Sequence, residues 1–75
     1  MSIISEREAY LDRTLYNIER LKLKNKKSLY LINSKISSST AKYIKDYFDA
    51  SPEYRIEIKF CVSCKNTYDI IIYFM

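Results

Sequence analysis

The 75 residues include no glycine, no histidine and no tryptophan, and only one proline and two cysteines. Each absence removes a class of chemistry. Without glycine there is no P-loop, dinucleotide fingerprint, nucleophile elbow, EF-hand turn or GXXG clamp. All of these need a backbone at positive φ or in close approach to a ligand. Without histidine the usual general base near neutral pH is missing, and with it Ser-His and Cys-His pairs and the HExxH zinc site. Two cysteines, Cys61 and Cys64, are too few for a disulfide framework. No apolar run approaches the ~18 residues of a membrane span; the longest, 70–75, ends the sequence. The opening MSIISERE lacks a basic region followed by an apolar stretch, so no secretory signal is read there. The expectation is a non-enzymatic protein of a reducing cytoplasm, with no cofactor and no membrane partner.

What is present points to a packed core. The chain is 48% hydrophobic and 15% aromatic, with eight Tyr and three Phe, which is too apolar for a disordered segment. Eleven Ile, nine Lys and four Asn, with no Gly, match AT-rich codons. Such a coding bias suits a low-GC bacterium, a phage or other mobile element, or a virus. The formal charge is +4 and the pI about 9.1. Residues 1–37 hold eight basic and four acidic side chains, whereas 38–75 hold five of each. The excess is therefore confined to the first half, at Arg20, Lys22, Lys24, Lys26 and Lys27 above all.

Local signals mark five elements. Ser5 with Glu8 forms a capping box, with Ile4 and Ala9 at the staple positions. Behind it Leu11, Thr14, Leu15, Ile18 and Leu21 share one helical face, with Tyr10 at its rim. Lys22 falls inside that stripe, so the helix either frays there or the lysine snorkels. Lys24–Lys27 reads as a turn in which Asn25 replaces the glycine of a left-handed cap. Ser28–Asn33 reads as a strand, and Ser37–Thr40 offers caps for a second helix with Ala41, Ile44, Tyr47 and Phe48 inward. Pro52 ends that helix. Arg55–Ser63 alternates, with Ile56, Ile58, Phe60 and Val62 on one side. A turn at 64–67 leads to a last strand, 68–75, apolar on both faces.

The expected fold is α+β, one small domain over 1–75 in the order α-β-α-β-β. A strand apolar on both faces belongs in the middle of a sheet. The strand order is therefore 1-3-2, mainly antiparallel, packed by two helices. The helix-bearing face carries Ile56, Ile58 and Phe60. The first helix has its own leucine stripe to bury, so it is expected on the opposite face; the alternative is that both helices share one face and leave the other exposed.

Three surfaces are candidates for function. Arg13, Asn17, Arg20 and Lys24 lie at i, i+4, i+7 and i+11 on the outer side of the first helix. Tyr16 is beside them, and Lys26 and Lys27 extend the patch. Such a set can meet an acidic protein surface, with Tyr and Arg as anchors, or contact phosphates and stack on bases. The plain alternative is a solvated helix face. The second surface is the other face of the sheet, with Tyr30 and Tyr73 flanked by Arg55 and Lys59. It suits a homodimer contact or a single-stranded nucleic-acid platform, although it lacks the glycine-bearing signature of an RRM. Cys61 and Cys64 have the spacing of half a zinc site, which only a dimer could complete with four thiolates. No catalytic residue is assigned.

In size and composition the chain resembles small accessory proteins of phages and mobile elements, including those that block host defence or transcription machinery. That resemblance implies an inhibitor that occupies the surface of a host protein or nucleoprotein. The second reading is a small nucleic-acid-binding protein using the basic helix patch.

Overall fold

The computed structural model of the chain describes residues 5–63 and 65–74. Helix α1 spans Glu6–Leu23, strand β1 Ser28–Ser34, helix α2 Ser38–Asp49, strand β2 Tyr54–Cys61 and strand β3 Thr67–Phe74. The sheet order is β1-β3-β2, and β3 runs antiparallel to both neighbours. The α-β-α-β-β order and the 1-3-2 sheet are as the hydropathy pattern requires.

Each boundary has a local cause. The Ser5 hydroxyl accepts from Glu8 N–H at 3.3 Å and caps α1. At the other end Asn25 takes φ 60°, and the Lys26 N–H reaches the Leu21 carbonyl at 2.9 Å. The second half of the opening staple, Ile4, lies outside the described residues. Ser37 caps α2 by accepting from Thr40 N–H at 3.2 Å. Lys22 resolves the conflict within the apolar stripe by snorkelling. Its ammonium lies 5.4 Å from the Tyr54 ring and 5.8 Å from that of Phe74, and α1 continues to Leu23.

One expectation is overturned. Both helices lie on the same face of the sheet, α1 over β1 and α2 over β2, in contact with each other. Leu11 and Ile18 of α1, Ile44 and Phe48 of α2, and Ile56, Ile70, Ile72 and Phe74 of the sheet form a single buried cluster. The leucine stripe of α1 does not need the far face, because the cleft between α2 and β1 accepts it. The domain therefore has two layers.

Smaller departures follow from that geometry. The alternation of β2 continues in the sequence past the end of the strand. Val62 sits in the hairpin turn and is 70% exposed, and Phe60 is 48% exposed against Tyr68 at the end of the sheet. Tyr47, expected inward, is 43% exposed and only edges onto Phe48, while Tyr43 packs against the core in its place. Thr67, read as a turn residue, opens β3 and is buried. Strand β1 carries an unforeseen bulge between Leu31 and Ser34. There Asn33 takes φ 58°, and its N–H donates to Asp69 Oδ1 at 3.0 Å.

Candidate functional site

Helix α1 turns its cationic side outward, as its periodicity requires. Arg13, Tyr16, Arg20 and Lys24 are exposed, as are Lys26 and Lys27 in the following turn; Asn17 is half-buried between them. Arg20 lies across the Tyr16 ring, its guanidinium carbon 5.7 Å from the centroid. Among the described residues the ion pairs are Lys22–Glu19 at 3.9 Å and Lys45–Asp49 at 2.6 Å, and neither neutralises the patch. The loop after the helix is fixed by its backbone. Lys24 and Lys26 N–H groups both return to the Leu21 carbonyl, and the Lys27 carbonyl accepts from Phe74 N–H at 2.9 Å. Lys26 and Lys27 are thus anchored through the main chain while their side chains stay in water. The last turn of α1 is also where the helix dipole favours cations.

A shallow cleft of about 350 Å³ opens at the Arg13 end of the patch, lined in part by Tyr10, Ser34, Lys35 and Glu6. Tyr10 and Ser34 are hydrogen-bonded at 3.0 Å, and Ser34 donates onward to the Leu31 carbonyl at 3.3 Å. Burial pushes the Tyr10 phenol up, opposed by the Ser34 hydrogen bond and the nearby Arg13 charge. Glu6, on the rim, is held ionised. Its Oε1 accepts from Thr40 Oγ1 at 2.6 Å, from the Ser37 hydroxyl at 3.1 Å and from Ser37 N–H at 3.3 Å. These donors, Thr40 foremost, hold its carboxyl below the ordinary glutamate value. A carboxylate tuned this way ties the start of α1 to the cap of α2; a general acid would need the opposite shift. Sequence reading missed both the Glu6–Thr40 knot and Lys35, because the partners are far apart along the chain.

The second surface lies on the face of the sheet away from both helices. In register across the sheet, Ser28, Tyr73 and Arg55 form one row, and Tyr30, Ile71 and Glu57 the next; Lys59 stands opposite Asp69. Tyr30 is 58% and Ile32 54% exposed, Tyr73 and Ile71 half-buried, and Arg55 and Lys59 exposed. The Cys61/Cys64 proposal rests on Cys64, which lies outside the described residues. Among the described residues no group of three or more His, Cys, Asp or Glu is placed to hold a metal ion. No helix among them is long and apolar enough to cross a membrane.

Compared with protein-family models, with curated proteins and with solved structures, the chain matches none.

Proposed function

We propose that this chain is a non-enzymatic binding module that covers an acidic surface of a partner protein with the outer side of α1. A phage or mobile-element protein would inhibit a host or defence protein in this way. The observation that carries the reading is the free state of the cations. Arg13, Arg20, Lys24, Lys26 and Lys27 are exposed and, among the described residues, in no ion pair. A patch neutralised within its own fold gains little from docking, whereas free cations on a rigid helix steer association and select for opposite charge. Arg20 packed on Tyr16 supplies the kind of anchor that dominates interface energetics.

The test is the triple variant Arg13→Ala/Arg20→Ala/Lys24→Ala. None of these side chains belongs to the buried cluster, so its circular dichroism and melting temperature should match the parent. Its recovery of one defined protein from a host extract should fall at least about tenfold, as expected when anchor residues are truncated. If parent and triple variant capture the same protein equally, α1 is not the interface. The second reading, nucleic acid, is favoured by the Arg20–Tyr16 stack, on which a base could continue. It requires retention on a single-stranded oligonucleotide, with affinity falling steeply and linearly in log salt.

A further inference from the structure

The free edge of β2 is long and regular, and its charged residues, Arg55, Glu57 and Lys59, carry both signs. All eight of its residues pair with β3 without a shift in register. The opposite edge, β1, is interrupted by the Asn33 bulge, a common protection against edge-to-edge pairing. The direction of the free backbone groups on β2 follows from the ladder. Phe74 N–H donates to Lys27 O on the β1 side, so in antiparallel alternation Tyr73, Ile71 and Asp69 direct their backbone toward β2. Their partners Arg55, Glu57 and Lys59 face inward to meet them, leaving Ile56, Ile58 and Phe60 with outward N–H and C=O groups. Among the described residues none of these three makes a backbone hydrogen bond beyond the sheet.

We infer that β2 pairs with β2 of a second copy, antiparallel about a two-fold axis at Ile56, to give a continuous six-stranded sheet. The charge pattern selects this register. With Ile56 on the axis, Arg55 stands opposite the other copy's Glu57 and Glu57 opposite its Arg55, while Lys59 keeps the partner it faces across its own sheet, Asp69. The two charged residues of β2 that face no charge across β3 then each meet the opposite sign. These are non-hydrogen-bonded positions, where cross-strand side chains come closest. Moving the axis to Glu57 sets Glu57 against Glu57 and Arg55 against Lys59. An axis at Arg55 sets Arg55 against Arg55. An axis at Ile58 makes Glu57–Lys59 matches instead, draws Lys59 away from Asp69 and leaves Arg55 opposite an uncharged Cys61. A slip of one residue would mix the two faces of the sheet. On the helix side, the Ile56 register brings Tyr54 against Ile58, both half-buried; the Tyr54 N–H already donates to the Ser51 carbonyl, so it is the Tyr54 C=O that meets the other copy's Ile58 N–H.

Sedimentation equilibrium of the full chain tests this, over about 1 μM to about 1 mM, the range of weak to moderate dimers. The parent should dimerise. Arg55→Glu or Glu57→Arg alone turns two symmetry-related pairs from attraction to repulsion and should weaken the dimer about tenfold or more. Both residues are exposed and face no charge across β3, so folding should be unaffected, as circular dichroism would verify. The double variant Arg55→Glu/Glu57→Arg restores every match and should dimerise like the parent. Mixing the two single variants should give a heterodimer, since at these two positions one chain then carries only carboxylates and the other only guanidinium groups. A parent that stays monomeric throughout, a polymer in place of a dimer, or a dimer indifferent to these swaps would overturn the inference. None of these variants touches α1, so the result is separable from that of the basic patch.

Discussion

Lys65→Gly should make the protein more stable. Among the described residues four have positive φ: Asn25 at 60°, Asn33 at 58°, Lys65 at 66° and Asn66 at 56°. In a chain without glycine these positions fall to other residues. Asparagine tolerates the left-handed region because its short amide can bond locally, but lysine has no such compensation. The left-handed conformation costs an ordinary residue ~1–2 kcal/mol. Glycine removes that cost but gives back ~0.4–1 kcal/mol through the greater freedom of the unfolded chain. The net gain is about 0.5–1 kcal/mol, or roughly 3–8 °C in Tm for a domain of this size. The control is Lys59→Gly, at a β2 position paired with Asp69 of β3, where glycine should cost ~0.5–1 kcal/mol. Thermal and urea unfolding of the three proteins, followed by circular dichroism, compares them directly. Opposite signs for the two glycines are the expected result. A Lys65→Gly variant no more stable than the parent would refute the assignment of strain to this turn.

The Glu6 knot makes stability depend on acid. Its folded pKa is lowered, so its contribution is present above the ordinary value of 4.5 and is lost as pH falls through the lower folded value. Glu6→Gln should flatten that part of the Tm-against-pH curve. Thr40→Val, which removes the foremost donor, should move the Glu6 carboxyl titration upward in an NMR experiment. Phe48 is fully buried and edges against Tyr54 at 4.9 Å. Phe48→Ala should cost ~3–5 kcal/mol, a large fraction of the ~4–11 kcal/mol of a 75-residue domain. In urea its midpoint should therefore fall far below that of the parent or vanish.

Most of the fold was legible because its signals are local. The Ser5/Glu8 box, the Ser37 cap and the Ser51-Pro52 stop each act within one turn of chain. The two-sided apolarity of β3 correctly placed it at the centre, whereas the covering layer was expected from the leucine stripe of α1, which packs beside α2 instead. Ile71 and Tyr73 are half-buried by their in-plane neighbours on β1 and β2, with no helix above them. Hydropathy reports loss of water and cannot say whether a strand or a layer causes it. The Asn33 bulge had one visible sign, an asparagine closing an apolar run in a glycine-free chain. Glu6–Thr40 had none, being a contact across 34 positions. The basic patch was legible because helical spacing alone puts Arg13, Arg20 and Lys24 opposite the stripe of Leu11 and Ile18. The self-complementarity of β2 was written in its alternating Arg55, Glu57 and Lys59. It could be read only once the sheet order had left that strand on an edge.

The positions of the two proposed surfaces bear on each other. The sheet runs β1-β3-β2, with α1 over β1 and α2 over β2. A dimer joined at β2 therefore brings the two α2 helices to the middle and sends the two α1 helices to the ends. The outermost strands would lie about 24 Å apart, five strand spacings across the joined sheet. The cationic sides of α1 would then be a rigidly spaced pair. For a partner with repeated acidic sites at that separation, the second contact becomes intramolecular, and avidity gains from it without any new contact. Arg55→Glu should then weaken binding to such a partner while leaving every α1 side chain in place. It should leave binding to a single-site fragment of the same partner unchanged. Equal losses on both targets would mean that Arg55 touches the partner itself and that the two surfaces are one.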